Sequence, residues 1–319
     1  MIPSQTGKIA LVAVLIPCLN EAPTIRKVID DFKKSLPEAD IYVYDNGSSD
    51  GTMEIASQAG AYVRFELQRG KGHVVRRMFQ DVEADLYVLV DGDDTYDAGL
   101  ARELVNKALE GPFDVVNAVR FSGSNKDAFR YGHQIGNRLM TGTVRLIFGN
   151  RVRDMLSGYK VLSRRFVKSF PSLSKGFEVE TEMTVHALGL DLAIAHVEGD
   201  YRNRPEGSHS KLNSFRDGFR ILFQILILFK QEKPFLLFTA IGSCLAILSL
   251  ILGIPVVLEF IRTHKVLRLP TAVLATGIML LGFLSVTAGL VLDSVSRSRK
   301  EMKRLFFLSH PPPSTSSGI

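Results

Sequence analysis

The chain has 319 residues, 46% hydrophobic and 23% charged, with a net charge of +6 and no tryptophan. That is apolar material for a full α/β core with a segment to spare, and its only two cysteines, Cys18 and Cys244, exclude a disulfide framework or a thiolate metal centre. The basic excess tracks the ends of two apolar segments and lacks interleaved aromatic residues, which argues against a nucleic-acid partner.

Residues 1–8 are polar, and the apolar run 9–16 leads into a helix-forming segment without a small-residue cleavage site. No signal peptide is expected, and the bulk of the chain is expected to be cytoplasmic. Residues 11–16 read as a strand with Pro17-Cys18-Leu19-Asn20-Glu21 as its outgoing loop. Ile25, Val28, Ile29 and Phe32 then fall on one helical face, with Asn20 or Thr24 available as cap. Residues 41–44 predict a second strand, closed by Asp45-Asn46-Gly47-Ser48-Ser49-Asp50-Gly51-Thr52. Strands at 62–65 and 86–90, with helices at 73–82 and 99–109, continue the alternation. Repeated β-α-β units imply a mostly parallel, Rossmann-like sheet with right-handed crossovers.

Residues 114–119 predict another strand, residues 120–131 a polar loop carrying Arg120, Lys126 and Arg130, and residues 135–148 a helix. Glu178, Glu180 and Glu182 alternate as if on one face of a strand, and residues 192–197 form a late strand. From 214 to 230, Phe215, Phe219, Leu222, Phe223, Leu226 and Phe229 recur at helical spacing. Either an amphipathic helix in the membrane interface or a helix packed on the catalytic domain fits that pattern.

Residues 235–258 and 269–292 carry no charge, and each is long enough to cross a hydrocarbon core of roughly 30 Å. Gly242 with Ala246 and Ser285 with Gly289 stand at helix-packing spacing, so the spans are expected to pack on each other or on copies in a homo-oligomer. Lys211, Arg216, Arg220, Lys230 and Lys233 precede the first span; Arg297, Arg299, Lys300, Lys303 and Arg304 follow the second. The balance puts both flanks on the cytoplasmic side, against Arg262, His264, Lys265 and Arg268 between the spans. The expected division is a catalytic domain at 1–212, an interfacial helix region at 213–233, a transmembrane hairpin at 234–293, and a basic juxtamembrane segment with a disordered tail at 294–319. Because every motif precedes the first span, a chain ending at Lys233 is expected to fold and bind its ligand.

The densest chemistry lies where the strand at 86–90 runs into Asp91-Gly92-Asp93-Asp94. Two carboxylates at the carboxyl end of a parallel strand sit where open α/β sheets bind ligands, and hard oxygen donors suit Mg²⁺ or Mn²⁺ shared with substrate phosphates. A solvated loop capping the next helix is the plainer alternative.

In their order along the chain, Pro17 to Glu21, Asp45 to Thr52, Gly70-Lys71-Gly72 and Asp91-Gly92-Asp93 resemble the signature of family 2 glycosyltransferases with the GT-A fold. Asp154-Met155-Leu156-Ser157-Gly158-Tyr159-Lys160 and Arg204 to Leu212 resemble its polyprenyl-phosphate branch, which includes dolichol-phosphate mannose synthase and bacterial undecaprenyl-phosphate glucosyltransferases. The likeness covers residues 9–212. It departs at Asn46, where the family usually has Asp, and by one residue inserted before Ser210-Lys211. The resemblance implies a metal-dependent inverting enzyme that transfers a sugar from a nucleotide sugar to a polyprenyl phosphate at the bilayer. A UDP-sugar, UDP-glucose first, is the favoured donor, with GDP-mannose as the alternative; a processive polysaccharide synthase is a further one, although its Gln-x-x-Arg-Trp motif is missing. By the same resemblance Pro17, Glu21, Asp45, Lys71, Asp91, Gly92, Arg204, Ser210 and Lys211 line the donor site. Asp91 and Asp93 hold the ion, Arg120 and Arg130 face the acceptor phosphate, and Asp154 orients the acceptor or the sugar, a cap or ion-pair role being the alternative for Asp154.

Overall fold

A computed structural model describes residues 10–121, 142, 153–202, 204–205 and 214–312. Its strands are β1 (Val12–Cys18), β2 (Asp40–Asp45), β3 (Tyr62–Phe65), β4 (Leu86–Leu89), β5 (Val115–Phe121), β6 (Lys160–Ser163) and β7 (Ile194–Asp200). They form one sheet in the order β3-β2-β1-β4-β6-β5-β7. Every strand runs parallel to the others except β6, which is antiparallel to both β4 and β5. The loops leaving β1, β2, β4, β5 and β7, together with the loop entering β6, therefore share one edge of the sheet.

Among the described residues the helices packed on the sheet are α1 (Ile25–Ser35), α2 (Thr52–Gln58), α3 (Lys71–Asp81), α4 (Ala101–Glu110), α5 (Arg164–Ser169) and α6 (Val179–Gly189). Val12, Val14 and Ile16 of β1 face the core that contains α1 and α4, whereas Ala13 and Leu15 face the core that contains α3, α5 and α6. Period-two alternation with both faces covered explains why β1 reads as one continuous apolar run.

Two expectations fail here for identifiable reasons. Glu180 and Glu182 lie in the first turn of α6, with Glu178 as its N-cap residue, and not on a strand. Acidic side chains are favoured at a helix N-terminus. The helical period is hidden because residues 179–187 are all buried, leaving no polar face to mark it. Arg120, assigned to a polar loop, is a strand residue of β5 paired in register with Gly199 of β7. The reversed strand β6 was not anticipated at all. The expected helix at 135–148, apart from helical Gly142, and most of the loop at 120–131 lie outside the described residues.

The chain divides into two compact units, residues 1–225 with 303–319 and residues 226–302. In the first unit, α7 (Ser214–Glu232) buries Ile221 and Ile225 against Met155 while Leu222 and Phe223 stay exposed. Both faces of this helix are thus used, one for packing and one left apolar toward the surroundings. The second unit holds α8 (Pro234–Thr263) and most of α9 (Leu269–Leu308), both long and apolar enough to cross a membrane. They pack on each other through the small residues: Ser285 Oγ donates to the Phe238 carbonyl at 3.0 Å and Ser249 Oγ to that of Ala275 at 2.7 Å. A Cβ on Gly242 would lie 2.8 Å from the Gly282 carbonyl oxygen, so the backbones meet where only glycine fits.

The far end of α9 belongs to the catalytic unit. Phe307 is buried in the core formed with α3, α5 and α6, and Arg165 lies over its ring at 4.5 Å. Arg304 donates to the Leu190 carbonyl at 3.3 Å. A chain ending at Lys233 would lack these contacts, so the expectation that it folds intact is revised.

Candidate active site

At the shared edge β4 delivers Asp91, Gly92 and Asp93. The Thr24 hydroxyl donates to the Gly92 carbonyl at 2.7 Å, and a Cβ on Gly92 would meet Cys18 Sγ at 2.8 Å. Only glycine lets this loop lie against β1.

Asp91 Oδ1 accepts from Lys71 Nζ at 2.5 Å, and the same ammonium donates to Glu180 Oε1. Burial pushes the Asp91 carboxyl upward; Lys71 pulls it back, and Asp93 and Glu180 push it up again. Burial lowers the Lys71 pKa, but Asp91 and Glu180 outweigh it and hold the ammonium above the ordinary lysine value. Asp91 Oδ2 sits against Gly158, where a Cβ would come within 2.1 Å of it. Gly158 is fixed in turn by donating its N–H to the Tyr96 hydroxyl at 2.7 Å.

Asp93 is 4% exposed. Its Oδ1 takes the Thr95 hydroxyl at 2.6 Å, and its Oδ2 takes Arg204 Nε at 2.8 Å and Nη2 at 2.5 Å. Asp94 turns away into a left-handed conformation, φ +55°, and pairs with Lys27 at 2.7 Å. The aspartate run therefore divides two and one, with Asp91 and Asp93 on Lys71 and Arg204 and Asp94 on Lys27.

The glycines flanking Lys71 have a visible purpose. Gly70 has φ +126°, and Cβ atoms on Gly70 and Gly72 would lie 2.2 and 2.1 Å from the carbonyl oxygens of Lys175 and Ser174. Gly72 N donates to the Lys175 carbonyl at 3.1 Å. The 172–175 loop is held from its other side by Glu182, whose carboxylate accepts from Leu173 N at 2.9 Å and Ser174 N at 2.8 Å. Through this loop the N-terminus of α6 is brought against that of α3, which is how Glu180 reaches Lys71. Gly72→Ala should accordingly lower the apparent melting temperature and weaken nucleotide binding together, at a cost of about 1–3 kcal/mol for overpacking. Thermal melts with and without nucleotide check this.

Asp45 and Glu21 are both buried. Asp45 Oδ2 accepts from Gly47 N and Ser48 N, each at 2.8 Å, and its Oδ1 accepts from the Ser48 hydroxyl. Glu21 donates its N–H to Thr52 Oγ1 at 2.9 Å and its carbonyl starts α1. Pro17 pairs in register with Tyr44. Asn46 explains its own departure from Asp: Nδ2 donates to the carbonyls of Glu66 and Gln68, and Oδ1 accepts from Gly70 N at 2.6 Å. A carboxylate could not make the two donations.

On the other side of the edge, Arg120 grips Asp154 as a fork, Nε to Oδ2 at 2.7 Å and Nη2 to Oδ1 at 2.8 Å, with its guanidinium 5.6 Å from the Tyr201 ring centre. The Asp154 carbonyl accepts from Asn117 Nδ2 at 2.8 Å, whose Oδ1 accepts from buried Lys160 at 2.6 Å. Burial pushes the Lys160 amine down to about 8, against the pull of Glu180 and Asp154. For Asp154 burial acts upward, but Arg120 outweighs it and the carboxyl lies below its ordinary value. A depressed carboxyl contributes stability that is complete above the unfolded pKa of about 3.9 and lost as pH falls through the lower folded one. Asp154→Asn should thus destabilise by about 3–5 kcal/mol at neutral pH, the cost of breaking a buried pair. The gap from wild type should close in melts taken below pH 4.

Arg130, Ser210 and Lys211 lie outside the described residues. Tyr96 and Gly158 are neighbours of the candidate site that reading the sequence did not single out, whereas Glu180 was noted with Glu178 and Glu182 but placed on a strand. Gly158 lay within a motif, but nothing in the sequence pointed to Tyr96, and Glu180 was hidden by the wrong period.

A metal would find Asp91 and Asp93 as hard oxygen donors. Among the described residues no group of three or more His, Cys, Asp or Glu could hold an ion alone. The set fits Mg²⁺ or Mn²⁺, which keep positions for substrate phosphates.

Comparison with known proteins accords with this geometry. The model of "Glycosyl transferase family 2" matches residues 13–170. The glycosyltransferase AglJ of Haloferax volcanii is 33% identical over 299 residues, 92% of this chain and 97% of that one. A dolichyl-phosphate hexose transferase of the same organism is 24% identical over 69% of this chain and 95% of its own length. Among solved structures, glucosyl-3-phosphoglycerate synthase of Mycobacterium tuberculosis in complex with Mn²⁺ and UDP-glucose is 25% identical, with a TM-score of 0.58 over 69% of this chain and 79% of that one. Ordered motifs, a shared sheet edge and a nearly full-length relative converge: this chain belongs to glycosyltransferase family 2.

Proposed function

We propose that this glycosyltransferase moves one sugar from a UDP-sugar to a polyprenyl phosphate at the membrane surface, with inversion. The observation that carries the reading is the meeting of Asp91 and Asp93 with Lys71 and Arg204 at one sheet edge, in a chain that continues into two apolar helices. UDP-glucose is the first choice of donor, supported by the fold's likeness to a synthase solved with Mn²⁺ and UDP-glucose. The lipid acceptor is supported by the dolichyl-phosphate hexose transferase relative. GDP-mannose is the second donor to test.

Asp91 and Asp93 would hold the divalent ion, which when bound neutralises charge on the departing diphosphate. Lys71 and Arg204 bind and orient that diphosphate, and Asp45 and Glu21 shape the loops around the nucleoside. Arg120, aimed by Asp154 and Tyr201, holds the acceptor phosphate together with Arg130. A phosphate monoester, with a second pKa of about 6, is already largely ionised at neutral pH. The site thus requires cations for the nucleophile rather than a strong base. Direct attack by that oxygen inverts the anomeric carbon. Asp154, with both oxygens on Arg120, acts as a positioning residue. Basic residues outside the apolar spans, Lys230, Lys233, Arg297, Arg299 and Lys300, support a cytoplasmic catalytic domain.

The test supplies radiolabelled UDP-glucose, other UDP-sugars and GDP-mannose one at a time to membranes containing the chain, with Mg²⁺ or Mn²⁺. Label should enter an organic-phase lipid from one donor. Label entering no lipid from any donor, or entering polymer, would overturn the reading.

A further inference from the structure

Both acidic residues assigned to the metal are already bonded to cations of the chain itself. Lys71 bridges Asp91 and Glu180, and Arg204 places two N–H groups on Asp93. Three carboxylates thus face two cations. A divalent ion added alone would give this cluster an excess of positive charge, and a diphosphate added alone would deepen its negative excess. Added together they cancel.

Lys71 differs from Arg204 in having two partners. Asp91 is half-buried and Glu180 nearly fully so, and the Lys71 side chain that bridges them is only 9% exposed. Glu180 therefore keeps the ammonium solvated when Asp91 changes partner. The helix that carries Glu180 is held by Glu182 to the 172–175 loop, which in turn packs on Gly70 and Gly72, so this second anchor is built into the fold.

We propose that Lys71, tethered by Glu180, competes with the divalent ion for Asp91, so that the ion binds well only with the donor's diphosphate, which draws Lys71 off that carboxylate. This rests on the metal and donor assignments above. Glu180 is in this account a positioning residue that acts through Lys71 and touches neither metal nor donor.

Binding of Mn²⁺ to the full-length protein, read from the free-ion EPR signal with and without UDP, tests it without turnover. In wild type UDP should tighten Mn²⁺ by at least about tenfold, within the usual range of coupling between contacting groups. Lys71→Gln should bind Mn²⁺ about tenfold tighter without UDP and lose most of the coupling. Lys27→Gln, which removes a nearby charge paired to Asp94, should stay within about threefold of wild type in both states. Glu180→Gln should weaken Mn²⁺ binding in the wild-type background, yet change it by less than about threefold when Lys71 is already Gln. If Lys71→Gln fails to fold by circular dichroism, Lys71→Arg replaces it and should weaken Mn²⁺ binding without UDP. Lys71→Gln binding no tighter than wild type, or Lys71→Arg no weaker, overturns the competition while leaving the metal site standing. Equal effects of Glu180→Gln in both backgrounds remove Glu180 from it. No Mn²⁺ bound by wild type even with UDP overturns both the metal reading and this proposal.

Discussion

Asp93→Asn should lower turnover by about 10²-fold or more in protein that still folds by circular dichroism, though at a lower melting temperature because Arg204 loses its buried anion; it deletes one charge at the proposed diphosphate site and keeps the side chain's shape. Asp93 is buried, and its Oδ1 can still be replaced by an amide oxygen accepting from Thr95. What the amide cannot do is balance Arg204, which places two donors on Oδ2. Asp94→Asn is the internal control. Asp94 lies next in the chain but faces the half-exposed Lys27, and its left-handed backbone suits asparagine as well as aspartate. Its substitution should leave activity within about threefold, the ordinary result for a surface ion pair. Equal losses in the two variants, measured as sugar transfer per minute on matched protein, would show that the run acts through net charge and not through a held ion.

The parallel sheet was readable because β1, β2 and β4 are short apolar runs ending in loops whose residues carry the chemistry. The acidic ends of those strands were placed correctly for the same reason: a parallel strand's carboxyl end is fixed by its direction. What escaped was everything set by partners far along the chain. β6 is a four-residue run, Lys160–Ser163, beginning with a buried lysine, and nothing local says it runs against its neighbours. The helix α6 has no polar face, so its carboxylates alternated in the sequence without a helical stripe to place them. Asp154 was left between two roles because its partner Arg120 is 34 residues away and was assigned to a loop. Among the described residues both oxygens now face Arg120, which favours the ion-pair alternative and gives it a purpose.

A chain cut after Lys233 should melt at least about 6–12 °C below the full-length protein, because it loses Phe307 from the core that also contains Val167, Phe170 and Met183. Removing a buried Phe side chain costs about 3 kcal/mol at the low end of the usual range, which sets that shift. Arg165 makes the site more than a greasy contact. It is fixed by Asp114, Nη2 to Oδ2 at 2.7 Å, with Ser163 also donating to Asp114, and its guanidinium face is turned to the Phe307 ring. Phe307→Ala in the full-length chain should therefore reproduce most of the loss with both apolar spans intact. A chain in which residues 226–302 are replaced by a flexible Gly/Ser linker should recover it, since the two parts of the catalytic unit are then present. That linked form also separates folding from anchoring. If the spans serve to hold the site beside a lipid phosphate, it should transfer sugar to a short, water-soluble prenyl phosphate and lose long-chain acceptor in bilayers. Equal loss on both acceptors in a well-folded linked form would mean that the spans help to build the acceptor site, whereas melting no better than the simple truncation would show that Phe307 adds nothing to the core.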